Sequence, residues 1–160
     1  MAAPPAAERG AQVRFPPPVA FLAGILLGAA AGYLVGPAPV PVPRAISAVG
    51  GILLLALGLG LIVSARTHFV RTGQSPIPWK PSPELIVNGA YRFTRNPMYV
   101  GLTLIEIGLG VALNNLWISL FALPALATVH VLAVRPEEQY LREKFGNSYA
   151  AYVERVRRYL

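Results

Sequence analysis

Two asparagines, Asn114 and Asn115, are all that separates two apolar runs, Tyr99–Leu113 and Leu116–Val134. A gap that short turns the chain straight back on itself, so it predicts an antiparallel helical hairpin. Two further apolar runs come first, Val19–Gly36 and Ala45–Ala65, joined by the proline-rich turn "GPAPVPVPR". A run of about 18 apolar residues is just long enough to cross a bilayer as a helix. The expectation is an all-α integral membrane protein with four transmembrane helices and a C-terminal amphipathic cytoplasmic helix.

Composition agrees. Of the 160 residues, 54% are hydrophobic and only 13% are charged, which is too apolar for an ordinary soluble domain. The net charge of +7 would suggest nucleic acid on a soluble protein. Here no basic stripe interleaves with aromatics, and the basic residues lie between the apolar runs, as cytoplasmic loop residues do. Nucleic acid is therefore not an expected partner; the lipid bilayer is. There is no Cys and no Asp, so thiolate chemistry is excluded. Two histidines without either residue speak against a metal site.

The chain divides into three parts. Residues 1–18 are Ala/Pro-rich and read as a disordered tail. Residues 19–65 carry two N-terminal spans, the first of them retained rather than cleaved as a signal. Residues 66–160 hold the remaining features: a polar loop, the hairpin and an amphipathic end. Lys and Arg concentrate in the 66–98 loop and beyond residue 134, while the Asn-Asn turn has none. The positive-inside rule then places both termini in the cytoplasm, in a multi-pass inner membrane protein.

Gly24, Gly28, Gly32 and Gly36 fall four apart and share one face of the first span. Small residues at that spacing admit close approach of another helix, either within the subunit or from a second copy. "GLGL" in the second span is no nucleotide loop, since no strand precedes it and no acidic residue follows about twenty positions on. Glu106 and His130 lie inside the third and fourth runs and are expected to face the bundle interior. From Pro136 on, a proline and two glutamates give a helix-start signal. Gly146 punctuates that helix, and Tyr149, Tyr152, Val153 and Val156 then recur at helical spacing.

"GAYRFTRNPMYVG" (89–101), followed at a distance by "EEQYLREKFGNSYAAYVERV" (137–156), resembles the isoprenylcysteine carboxyl methyltransferase family. That family is related to the phospholipid N-methyltransferases. The resemblance covers about residues 69–156. It implies a membrane enzyme that binds S-adenosyl-L-methionine without a Rossmann domain. The cofactor would be enclosed from the cytoplasm by the loop before the third span and by the C-terminal segment, and a lipophilic methyl acceptor would approach from the lipid. By this resemblance Pro83, Glu84, Leu85 and Ile86 line the cofactor, and Tyr91 is the motif tyrosine. Arg95, Asn96, Pro97, Met98 and Tyr99 form the R-H-P-x-Y segment, and Glu137 contacts the cofactor. The family's usual His is Asn96 here, which cannot take a proton near neutral pH. An Arg that some members place four residues before the first Glu is Ala133 here. Arg135, nearby, and His130 stand as acceptor-side candidates, and no catalytic residue is assigned.

The residues suit that chemistry. Methyl transfer from a sulfonium needs positioning more than acid–base help. Aromatic faces such as Tyr91 and Tyr99 attract a cation. Glu137 could hold an ammonium or ribose hydroxyls, and Arg92 or Arg95 a carboxylate. The same arginines could instead snorkel to lipid headgroups, and Tyr99 could be an interface aromatic. Two other functions remain open at this level: a nicotinamide-dependent membrane reductase with a similar C-terminal half, and a non-catalytic module of the same fold.

Overall fold

A computed structural model of the chain describes residues 10–13 and 15–159. Among these, all regular structure is helical: α1 (Pro18–Leu34), α2 (Arg44–Arg71), α3 (Pro97–Ala112), α4 (Leu116–Val129) and α5 (Arg135–Arg155). A 3₁₀ turn covers Gly89–Arg92, and a π-helical turn, His130–Val134, joins α4 to α5.

The Asn-Asn turn works because its two residues do different things. Asn114 takes a left-handed φ of 60°, which Asn tolerates better than most residues. Asn115 caps α4, its side chain accepting the Trp117 N–H at 3.1 Å. The turn also binds the 36–43 connection. Val40 N–H donates to Asn114 Oδ1, Leu116 N–H to Ala38 O, and the Trp117 indole to Gly36 O. Both connections thus meet at one end of the bundle.

In sequence order, α1 packs on α4, α2 on α3, and α3 beside α4. Glycine makes these contacts close. A Cβ on Gly28 would sit 2.5 Å from Ile118 Cα, and one on Gly101 would sit 2.7 Å from Gly58 O. Gly24 faces Glu106 of α3, and Gly32 faces Asn115. The stripe of the first span therefore packs within the subunit at Gly24, Gly28 and Gly32; among the described residues, a Cβ on Gly36 would meet nothing within 4 Å. Large side chains such as Leu26, Leu53 and Leu57 stay more than half exposed, as lipid-facing residues do.

Two helical stretches are long and apolar enough to cross a membrane unaided: α2, with 28 residues, and the 40-residue stretch Leu116–Arg155. α1 and α3 are shorter apolar helices of 17 and 16 residues. The expected helix start at Pro136 is corrected: α4, the π turn and α5 run on as one rod. Pro136 has no N–H to give the Leu132 carbonyl, a loss that breaks an ordinary α-helix. Just before it the ladder loosens to i→i−5, Arg135 N–H reaching His130 O. The rod bends at Gly146, whose φ of 48° is non-helical.

The reading of residues 1–18 as one disordered tail is corrected where they are described. Ala11 and Val13 are buried against Phe21, Val129 and Tyr140, and Ala11 N–H donates to Pro78 O at 2.9 Å. Residues 1–9 and 14 of that tail lie outside the described residues. Glu106 is fully buried, as expected, and His130 is half-buried. His130 Nδ1 pairs with Tyr159 OH at 2.8 Å.

Gly28→Leu forces a side chain into the Ile118 backbone and is expected to cost about 1–3 kcal/mol. Gly60→Leu, where a Cβ meets nothing within 4 Å, is expected to be near neutral. Thermal unfolding of the two variants in detergent checks this.

Candidate functional site

The pocket sits at the N-terminal end of α3, away from the two turns. Its floor is built by local rules. Gly89 takes φ 61°, and the space a Cβ would need is filled by His68 Nε2, so only glycine fits. The 3₁₀ turn that follows presents Tyr91, whose carbonyl accepts the Tyr152 hydroxyl at 2.7 Å. Pro97 at the first position of α3 then directs Tyr99 along the helix start.

Glu84, Leu85 and Ile86 line this pocket, as do Tyr91, Arg95 and Asn96. So do Pro97, Met98, Tyr99 and Glu137. Ten of the eleven residues expected at a cofactor thus converge on one cavity. Pro83 does not: it is exposed, the chain having turned its ring outward between Ser82 and Glu84. Arg92 is exposed and outside the lining, which leaves Arg95 as the pocket's arginine. His130 and Arg135 also lie outside it: His130 pairs with Tyr159, and Arg135, two residues before Glu137 in α5, is exposed on the opposite face of the helix.

Tyr99 donates its hydroxyl to Glu137 Oε1. Glu137 is half-buried. Burial pushes its carboxyl up to about 7; the Tyr99 hydrogen bond pulls the other way, and the Glu138 charge pushes further up. Burial, and then the Glu137 charge, hold the Tyr91 phenol well above its usual value, so it is neutral at physiological pH.

Glu138, the next residue, does something else. It accepts Arg158 through two hydrogen bonds, Nε to Oε1 at 2.9 Å and Nη2 to Oε2 at 2.7 Å, and it pairs with Arg95 Nη1 at 3.2 Å. Burial alone would raise its pKa, but the Arg158 hydrogen bond and the charges of Arg95, Arg158 and Arg142 outweigh it and hold the carboxylate below its ordinary range. Three more bonds fasten the same tail: Arg95 N–H to Arg157 O, Thr94 Oγ to Arg158 O, and Asn96 Nδ2 to Arg158 O. Asn96 thus spends its amide on the C-terminal backbone, a donor's task that needs no titratable ring.

Sequence reasoning missed Glu138, Arg158, Gln74 and Ala11 as parts of this region. The paired Glu137-Glu138 was a visible signal for the clamp. Arg158 looked like one of several solvated arginines, and nothing in the sequence pointed a residue of the tail at the loop.

Removing the Glu138 charge leaves Arg95 buried without its partner, so Glu138→Gln is expected to cost about 3 kcal/mol. The folded pKa lies below 4.5, so folding favours the deprotonated form. The clamp's stabilisation is complete above that value and is lost as pH falls through the lower, folded one. Chemical denaturation of both proteins at neutral and acid pH checks this; the variant should lose the acid-side slope.

The comparisons with known proteins bear on this same region. No curated protein matches the chain. A family model, phospholipid methyltransferase, matches residues 46–148, from the start of α2 to beyond the bend in α5. The match takes in Gly89, Tyr91, the segment from Arg95 to Tyr99, and Glu137. The family is one of integral membrane methyltransferases related to the isoprenylcysteine carboxyl methyltransferases, in keeping with the two apolar stretches long enough to span a bilayer. With well over half of its length matched, the chain belongs to the phospholipid methyltransferase family.

Proposed function

We propose that the pocket binds S-adenosyl-L-methionine and that the chain methylates a lipophilic or lipid-linked acceptor arriving from the bilayer. The observation that carries the reading is the pairing of Glu137 with Tyr99 in a pocket at the end of a lipid-facing bundle. The residues fit the cofactor. Glu137 offers a carboxylate to an ammonium, Arg95 lies in the lining to face a carboxylate, and Tyr91 and Tyr99 present aromatic rings to a cation. When bound, the cofactor supplies an electrophilic methyl on a sulfonium; the acceptor's lone pair takes that methyl while the S–C electron pair stays on sulfur as a neutral thioether.

The protein's own work is orientation. Tyr99 fixes the Glu137 carboxylate by its hydrogen bond, and the Glu138 clamp holds Arg95 and Asn96 in the wall. Helix α3 carries Tyr99 at the point where the pocket meets the apolar bundle. Four spans, with both termini and the pocket on the cytoplasmic side of the inner membrane, fit this arrangement, since the two charge-poor turns share the opposite end. Membership of a methyltransferase family favours this reading over a reductase.

Incubation with methyl-labelled cofactor and native lipid extract should transfer label to a lipid-soluble species. No labelled species, together with no binding of S-adenosylhomocysteine, would overturn the reading. The pH dependence is a second check. If the charged Glu137 binds the ligand, a carboxyl with a pKa of about 7 must first lose its proton. Affinity for S-adenosylhomocysteine should then be flat above pH 8 and fall by about tenfold for each unit below 7. Glu137→Gln should bind about ten- to a hundredfold more weakly and flatten that profile. Calorimetric titration from pH 6 to 8.5 measures both; a sloping profile in the variant would remove Glu137 from the role.

A further inference from the structure

Gln74 is 7% exposed and lines the pocket, yet its side-chain oxygen has no hydrogen-bond partner among the described residues. Its backbone is fixed by the end of α2. Gly73 takes φ 66°, and Gln74 N–H closes back onto Phe69 O at 2.8 Å. Its amide is fixed as well. Thr72 Oγ1 donates its one proton to the carbonyl of the preceding turn, 2.9 Å from His68 O and 3.3 Å from Phe69 O. Towards Gln74 the threonine can therefore only accept, so the atom 3.0 Å from it must be the amide nitrogen. The oxygen is left over as a buried, neutral acceptor without a donor, a costly arrangement unless a ligand completes it.

The neighbouring wall says what kind of donor. Phe69, Pro76, Ile77 and Pro78 present flat or apolar surface, and Ser75 Oγ is engaged by the Ile77 N–H at 3.3 Å. This lining suits the faces of a heteroaromatic ring rather than a cation, which Glu137 and the tyrosines serve better. We propose that Gln74 is a specificity-determining residue that accepts a hydrogen bond from the 6-amino group of an adenine base seated against this wall. The assignment rests on the cofactor reading above. A base carrying a 6-oxo group presents an acceptor where Gln74 also has one, and the two repel. Gln74 thereby selects adenosyl over inosyl ligands.

Full-length protein in detergent is titrated with S-adenosylhomocysteine and with S-inosylhomocysteine. The wild type is expected to prefer the adenosyl ligand by about ten- to a hundredfold. Gln74→Met keeps the length of the side chain, removes the acceptor, and should bring the two affinities within about threefold. The ratio is read because a general loosening of the pocket weakens both ligands alike. Gln74→Glu keeps an acceptor oxygen and should retain the adenosyl preference; it also serves if the methionine variant fails to fold. Equal binding of the two ligands by wild type, or an undiminished preference in Gln74→Met, overturns the assignment while leaving the cofactor reading intact. A preference lost in Gln74→Glu overturns it too. Failure of wild type to bind either ligand overturns both.

Discussion

Backbone meeting backbone is the contact on which the rest depends. Inside a bilayer, lipid tails are as apolar as leucine, so burying leucine between helices brings little. Association rests instead on close approach and on polar links. Gly58 and Gly101 let α2 and α3 touch, and Gly28 lets α1 touch α4 at Ile118. Those two pairs leave α3 and α4 side by side, and only then do the start of α3 and the start of α5 lie close enough for Tyr99 to reach Glu137.

A second layer of order is polar and lies outside the apolar bundle. The Glu138 carboxylate collects two guanidiniums from distant parts of the chain, Arg95 before α3 and Arg158 after α5. Around it, backbone and side chains of 94–96 hold the carbonyls of Arg157 and Arg158. The adjacent glutamates thus divide the labour. Glu138 is charge-saturated and structural. Glu137 has a neutral phenol for a partner, and burial raises its carboxyl to about 7.

Local chemistry was what the sequence could express. The apolar runs, the Asn-Asn hairpin and the bend at Gly146 follow from residue type and spacing, and so they were readable. The convergence of Tyr91, Tyr99 and Glu137 was readable because two motifs framed a hairpin of fixed geometry. Pro136 misled, since the rule that proline starts a helix holds only when the preceding turn does not adapt, and here a π turn does. Ala11, Gln74 and Arg158 take part through tertiary contacts between segments more than 60 residues apart or through a single orphaned oxygen. Such features leave no periodic trace in the chain.

The shortness of α1 and α3 has a consequence for the membrane itself. Helices of 17 and 16 residues are about 24–26 Å long, against a hydrocarbon layer of about 30 Å. In the four-span arrangement proposed above, lipids beside these two helices compress to match them. The headgroup plane would then dip towards the Tyr99 end of the pocket, shortening the distance a lipid-borne group rises to reach it. A bilayer that is already thin meets this demand at lower cost, so membrane thickness becomes a variable that bears on how readily the pocket and its lipid neighbours meet.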